Sequence, residues 1–133
     1  MTGFIKYTFP KEERLKSRKK LQELFSSGKR IHSGSLKLLY VKEPVGGGFI
    51  KCGVGVSGRN FKKAVDRNRI KRLLREAYRL QQQSLKEYVF QQSTNLSVFL
   101  LFTGKELPDY EMVYKSVGVT LKKLLKQLNE VAV

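Results

Sequence analysis

The chain has 133 residues, 41% of them hydrophobic, and carries 27 Lys and Arg against 11 Asp and Glu, a formal charge of +16. One domain with a real core fits that length, which excludes wholesale disorder as the source of the charge, and the excess of cations calls for an anionic partner. The longest apolar run, Val98–Phe102, is far short of the ~20 residues that span a bilayer, and a lone Cys52 and a lone His32 exclude an internal disulfide and a structural zinc site.

The charge is concentrated in two segments: residues 1–30 hold nine cations and three anions, and residues 59–79 hold nine cations and two anions. The start lacks the apolar stretch of a secretion signal, which points to the cytoplasm. Residues 1–16, basic and interrupted by Pro10, read as an irregular lead-in. A first helix follows, with Ser17 able to cap it, Leu21, Leu24 and Phe25 on one face, and Gly28 suited to the left-handed residue that ends a helix. Leu36–Val41 reads as a strand, the run from Glu43 to Gly48 as a turn, and Phe49–Ser57 as a second strand completing a hairpin. Gly53 and Gly55 remove side chains at alternate positions of that strand, which predicts close approach of a neighbouring element. Cys52 beside them reads as a small buried hydrophobe.

Asn60 is a candidate N-cap for a long helix from about Phe61 to Leu80, frayed onward to Val89. Asn95–Phe102 is a nearly continuous apolar strand of the kind covered on both faces. Asp109 then caps a last helix with Val113, Val117, Leu121, Leu124, Leu125 and Leu128 in one stripe. The pattern therefore predicts α-β-β-α-β-α, a small α+β domain with helices packed on a sheet.

The long helix carries the functional argument. Wound at about 100° per residue, it places Ile70, Leu73, Leu74 and Ala77 on one face and Asn68, Lys71, Arg72, Arg75 and Arg79 almost opposite, flanked by Arg67 and Arg69. A charged helix face is ordinarily a solvated one, laced with opposite charges, but here only Asp66 and Glu76 offset the cations, so like charges repel until something anionic relieves them. Every cation from Arg67 to Arg79 except Lys71 is arginine, whose planar fork matches phosphate and stacks on bases. A nucleic acid is the favoured partner. The absence of helix-turn-helix, zinc-finger and basic-zipper patterns tilts the choice toward RNA. A ribosomal or assembly RNA-binding protein satisfies the same composition. Autonomous nuclease chemistry does not, because it needs clustered carboxylates or paired histidines, and the chain offers one His, two Asp and a Glu12-Glu13 doublet in the lead-in.

The stretch Lys63-Ala64-Val65-Asp66-Arg67-Asn68-Arg69-Ile70-Lys71-Arg72-Leu73-Leu74-Arg75-Glu76-Ala77 closely resembles the signature helix of the bacterial ribonuclease P protein component. The similarity extends to Arg14-Leu15, to Leu21 and Phe25, to Leu38-Leu39-Tyr40 and to Asp109-Tyr110-Glu111. Two places depart from it: the run Gly58-Arg59-Asn60-Phe61-Lys62 is one residue longer, and Leu21 stands where an aromatic is usual. The resemblance implies an α-β-β-β-α-β-α fold with a left-handed crossover through the basic helix, one strand more than the pattern shows. It also implies a subunit that joins a catalytic RNA to remove the 5′ leader of precursor tRNA, with the catalytic groups and Mg2+ held chiefly by the RNA, the chain alone inactive, and neither a membrane nor a protein partner required. On that resemblance Arg67, Asn68, Arg69, Lys71, Arg72, Arg75 and Arg79 contact the catalytic RNA, and Arg14, Leu21, Phe25 and Tyr40 contact the leader. For Tyr40 the residue pattern points elsewhere, since it shares strand parity with Leu36 and Leu38 and reads as a half-buried core tyrosine.

Overall fold

In the computed structural model, which describes residues 14, 15 and 17–131, helix α1 spans Arg18–Ser27. Ser17 Oγ accepts the Lys20 amide at 3.3 Å, so the expected cap forms. Gly28 ends the helix by donating its N–H to Leu24 O at 3.0 Å, but with φ −67° rather than in the left-handed region. Glycine is required there by space: a Cβ would lie 2.5 Å from Leu24 O. All but two residues of the expected lead-in fall outside the described residues. The two, Arg14 and Leu15, attach to the sheet, where Arg14 bridges Cys52 in parallel and the Leu15 amide donates to Cys52 O at 3.0 Å.

Strands β1 (Lys29–Ser33), β2 (Leu36–Glu43), β3 (Ile50–Val56) and β4 (Asn95–Phe102) form one sheet in the order β1-β2-β4-β3. The short, basic β1 buries only Ile31, too little apolar periodicity for the pattern to reveal it. It pairs antiparallel with β2 through a turn whose Gly34 has φ +57°, a conformation glycine adopts at no steric cost. The predicted hairpin between β2 and β3 does not form. Instead β4 lies between them, antiparallel to β2 and parallel to β3. The physical reason is burial: β4 is apolar on both faces and belongs in the interior, whereas β3 exposes Lys51 and tolerates the edge. The turn expected to close the hairpin is instead tied to the start of β4, with the Gly46 amide donating to Ser93 O at 2.8 Å and the Phe49 amide to Asn95 Oδ1 at 3.0 Å.

The chain passes from β3 to β4 through α2 (Ala64–Gln81) and α3 (Gln83–Gln92), two helices broken at Gln82 where the pattern predicts a continuous one. Asn60 is not the N-cap. Its amide donates to the carbonyls of Thr103 and Gly104 at 3.2 and 3.0 Å, fastening the loop to the exit of β4, and α2 begins after Lys63 without a side-chain cap. Helix α4 (Tyr110–Val131) starts as expected, with Asp109 Oδ1 accepting the Met112 amide at 2.8 Å.

Strand parity divides the sheet into two unequal faces. Leu36, Leu38, Tyr40, Cys52, Val98, Leu100 and Phe102 build the main core with Ile70, Leu74, Ala77 and Tyr78 of α2 and Val113, Val117, Leu121, Leu124 and Leu128 of α4. Helix α3 adds Leu85, Tyr88 and Val89, with the Tyr88 hydroxyl donating to Leu128 O at 3.1 Å. On the other face, among the described residues, α1 and the Leu15 segment supply the cover, and Leu15, Leu24, Leu39 and Phe99 form a smaller core.

The glycines of β3 serve that smaller core. A Cβ on Gly53 would lie 3.0 Å from the Phe99 ring and one on Gly55 2.7 Å from it, so the ring occupies the volume two side chains would need. Gly55→Ala is expected to destabilise the fold by about 1–3 kcal/mol through overpacking, measured by urea unfolding, and by much less in a Phe99→Leu background. Equal losses in the two backgrounds would show that the ring is not the obstacle.

Candidate nucleic-acid interface

With Ile70, Leu74, Ala77 and Tyr78 of α2 buried, 3.6 residues per turn force the intervening positions outward. Asn68, Arg69, Arg72 and Arg75 are exposed, and Lys71 is half-buried at the margin. Two further members of the cationic set are already engaged. Arg67 Nη1 donates to Phe61 O and Lys62 O at 2.8 and 2.7 Å, so its guanidinium holds the approach to a helix that lacks a side-chain cap. Arg79 grips Glu76 two-fold, at 2.5 and 3.3 Å, and this bond holds the Glu76 carboxyl below its usual range.

Arg75 marks where α2 crosses β3. Burial pushes the Cys52 thiol strongly upward while the nearby Arg75 charge opposes it. Because Arg14 bridges the same Cys52 from the sheet edge, the two basic segments of the sequence meet at β3. Cys52 itself is buried, in keeping with its reading as a small hydrophobe.

The second candidate region is the face of the sheet that α1 covers. Phe25 is 44% exposed and its ring meets Phe99 edge-on at 5.2 Å; Leu21 and Leu101 pack beside it, partly buried. Arg18, Leu21, Gln22, Phe25 and Ser26 line a shallow trough along the outer side of α1, and Phe99 behind it is buried with Gly53 and Gly55. Exposed Lys51 shares the parity of Gly53 and Gly55. The helix is held at this angle by Lys20, whose ammonium reaches Glu43 at 2.8 Å and Glu23 at 3.0 Å.

Tyr40 does not line this trough; it borders a separate cavity with Glu23 and Ser27 of α1, Lys29 and Leu128. It faces the other side of the sheet, is 3% exposed, and donates its hydroxyl to Gln127 Oε1 of α4 at 2.9 Å; burial raises its pKa. Side chains alternate along a strand, so a shift of one residue changes the face. Leu39 and Val41 are the β2 residues that face α1. The structure thus brings Leu21 and Phe25 together, places Arg14 at the nearby strand edge, and sets Tyr40 in the cavity on the other flank of α1. The sequence assigns no role in this region to Leu15, Leu39, Lys51 or Phe99; the pairing that sets Phe99 against Leu39 and Gly53 is the information required, and the alternating glycines are its only local trace.

A small α+β protein whose parallel β3–β4 connection carries an outward-facing cationic helix is the class defined by this arrangement. The fold is shared with a Staphylococcus aureus RNase P protein (TM-score 0.60, 17% identity, covering 84% of this chain and 94% of that one) and with the RNase P protein from Thermotoga maritima (TM-score 0.58, 24% identity, 86% and 96%). The family described as Ribonuclease P matches residues 9–128. A ribonuclease P protein component from Nitrosomonas eutropha is 30% identical over 128 residues, covering 96% of this chain and all of its own length, and one from Porphyromonas gingivalis is 29% identical over 125 residues, covering 93% and 91%. The chain belongs to the ribonuclease P protein family.

The Lys20–Glu43 contact that orients α1 gives a pH prediction. Glu43 is held below its usual pKa by its hydrogen bond from Lys20, and Lys20 is raised chiefly by the same bond. The stabilisation is therefore complete between the two ranges, lost in acid as pH falls through the lowered Glu43 pKa, and lost in base as pH rises through the raised Lys20 pKa. Glu43→Gln should cost about 0.2–1 kcal/mol at neutral pH, as befits a solvent-accessible pair, and nothing once Glu43 is protonated. A difference that stays constant from neutral pH into strong acid would assign the effect to packing.

Proposed function

We propose that the chain is the protein subunit of ribonuclease P, binding the catalytic RNA through α2 and the 5′ leader of precursor tRNA along the trough beside α1, and so assisting endonucleolytic removal of the leader to generate the mature tRNA 5′ end. The observation that carries this reading is the exposure of Arg69, Arg72 and Arg75 on a helix whose opposite face is sealed into the core, a cationic stripe with few carboxylates to neutralise it. Asn68 and Lys71 complete the RNA contact; Arg67 and Arg79 act mainly by fixing the backbone and the end of the stripe. Membership of the family supports the partnership with a catalytic RNA, and the names of the relatives support the role in processing.

Arg14, Leu21 and Phe25 are assigned to the leader. A single strand suits this trough, because cations follow its backbone while a ring meets its bases. Among the described residues no three His, Cys, Asp or Glu side chains lie together to hold a metal ion; on this reading Mg2+ and the catalytic groups belong chiefly to the RNA. The protein's part is to neutralise phosphates and position the leader. No helix among the described residues is long and apolar enough to cross a membrane, and we place the activity in the cytoplasm.

Reconstitution with a bacterial ribonuclease P RNA tests the reading. The chain alone should cut no precursor tRNA, yet should stimulate the RNA at low Mg2+; cleavage by RNA-free protein would overturn it. If α2 neutralises on the order of four phosphates, the log–log salt slope of RNA binding should be about −3 to −4. Arg72→Ala with Arg75→Ala should flatten it by about 1.5–2 units, and an unchanged slope would return α2 to a solvated surface. Phe25→Ala should weaken precursor tRNA by about 1–3 kcal/mol and leave mature tRNA, which has no leader, unaffected. Tyr40→Phe, on the far face, should instead cost about 1 kcal/mol of fold stability with no preference between the two RNAs. Equal losses for both RNAs on Phe25→Ala would show that no leader lies there.

A further inference from the structure

The cationic stripe of α2 runs into an exposed aromatic pair that lies outside the contacts proposed above. Tyr110 and Tyr114, one turn apart at the start of α4, are 37% and 39% exposed, with ring centroids 5.9 Å apart and planes inclined at 50°. They border the end of α2: the Tyr110 hydroxyl lies within electrostatic reach of both Glu76 and Arg79. Arg75 and Arg72 follow on the same stripe, one and two turns back.

This corner is rigid. Gln81 Nε2 donates to Tyr114 O at 2.9 Å and to Ala77 O at 3.1 Å, and the two helices approach so closely that a Cβ on Gly118 would lie 2.5 Å from Gln81 Oε1. Asp109 caps the turn that bears Tyr110, and the Glu76–Arg79 bond fixes the guanidinium beside it. A pair of tyrosines four residues apart on a helix can stabilise that helix slightly, but this does not account for two half-open rings held at fixed positions beside a run of arginines.

We propose that Tyr110 and Tyr114 form a stacking platform for an unpaired base of the catalytic RNA, whose flanking phosphates lie on the α2 arginines. The proposal rests on the assignment of α2 to that RNA and extends the contact surface onto α4. Charge complementarity selects a nucleic acid over a second copy of a chain carrying +16. The Glu76–Arg79 pair leaves no net charge beside the rings, so their faces suit an uncharged base while the phosphates follow Arg72 and Arg75. Stacking on fixed rings needs no side-chain rearrangement, which reduces the entropy lost on binding.

The chain contains no tryptophan, so Tyr110→Trp supplies a sole indole reporter in the intact protein. Val119→Trp is the control, since Val119 is 42% exposed and lies roughly half a turn around α4 from the pair. With a bacterial ribonuclease P RNA as the probe, the indole emission of the Tyr110→Trp variant should be quenched on binding and that of the Val119→Trp variant should not. Tyr110→Ala and Tyr114→Ala should each weaken RNA binding about 5- to 150-fold, the range for one stacked base, and Tyr110→Phe, which keeps the ring, should recover most of it. The proposal falls if emission is unchanged at saturation, or if both alanine variants bind like the parent while Arg72→Ala and Arg75→Ala lose affinity; that outcome leaves the α2 reading intact. Failure of the arginine variants to weaken binding, or of the parent to bind the RNA at all, overturns both readings. A change in monomer–dimer equilibrium by sedimentation, with RNA affinity unaltered, would overturn the proposal and make the pair a self-association surface instead.

Discussion

The need to bury both faces of β4 governs the rest of the molecule. Val98, Leu100 and Phe102 point into the main core and Phe99 into the smaller one, so the strand can satisfy its side chains only in the interior of the sheet. Once it sits between β2 and β3, parallel to β3, those strands cannot form a hairpin, and the connection must travel over one face. Helix α2 is that connection. Its apolar side seals the core and its cationic side is left outward, so the placement of the arginines follows from the burial of a strand that carries no charge.

The faces of the sheet are used differently. Among the described residues three helices cover one side, whereas α1 and the Leu15 segment cover the other, where the Phe99 ring fills the space beside two glycines and Phe25 lies exposed next to it. A wholly covered face gives stability; one with a ring exposed at its margin leaves apolar surface for a ligand. The edge strand β3 joins the two, with Arg14 paired to its backbone and Arg75 near its one cysteine.

Several polar side chains that could face a ligand instead bind the protein's own backbone. Arg67 holds the carbonyls ahead of α2, Asn60 those after β4, and Gln81 one in α4. The bonds of Arg67 and Gln81 sit at the ends of α2, where helix and loop groups lack regular partners, and together with that of Asn60 they fix the helix that displays Arg69, Arg72 and Arg75. A contact surface of long flexible side chains gains selectivity when the backbone beneath it does not move.

The sequence by itself determined the properties that local periodicity and composition carry: the limits of β4, the caps at Ser17 and Asp109, the apolar stripe of α4, the opposed faces of α2 and the parity that puts Tyr40 with Leu36 and Leu38. The family was legible in the consecutive residues of α2, because a helix keeps neighbours in sequence on neighbouring positions in space. Only the tertiary structure decided what depends on residues distant in the chain. The strand order, the existence of the short strand β1, the meeting of Phe99 with Gly53 and Gly55, the diversion of Arg67 and Arg79 to internal partners, and the closeness of Tyr110 to the end of α2 are all set by packing that local pattern does not encode. A strand's pattern reports how much of it is buried but not which strand lies beside it, and a side chain's charge does not say which of its possible partners is nearest.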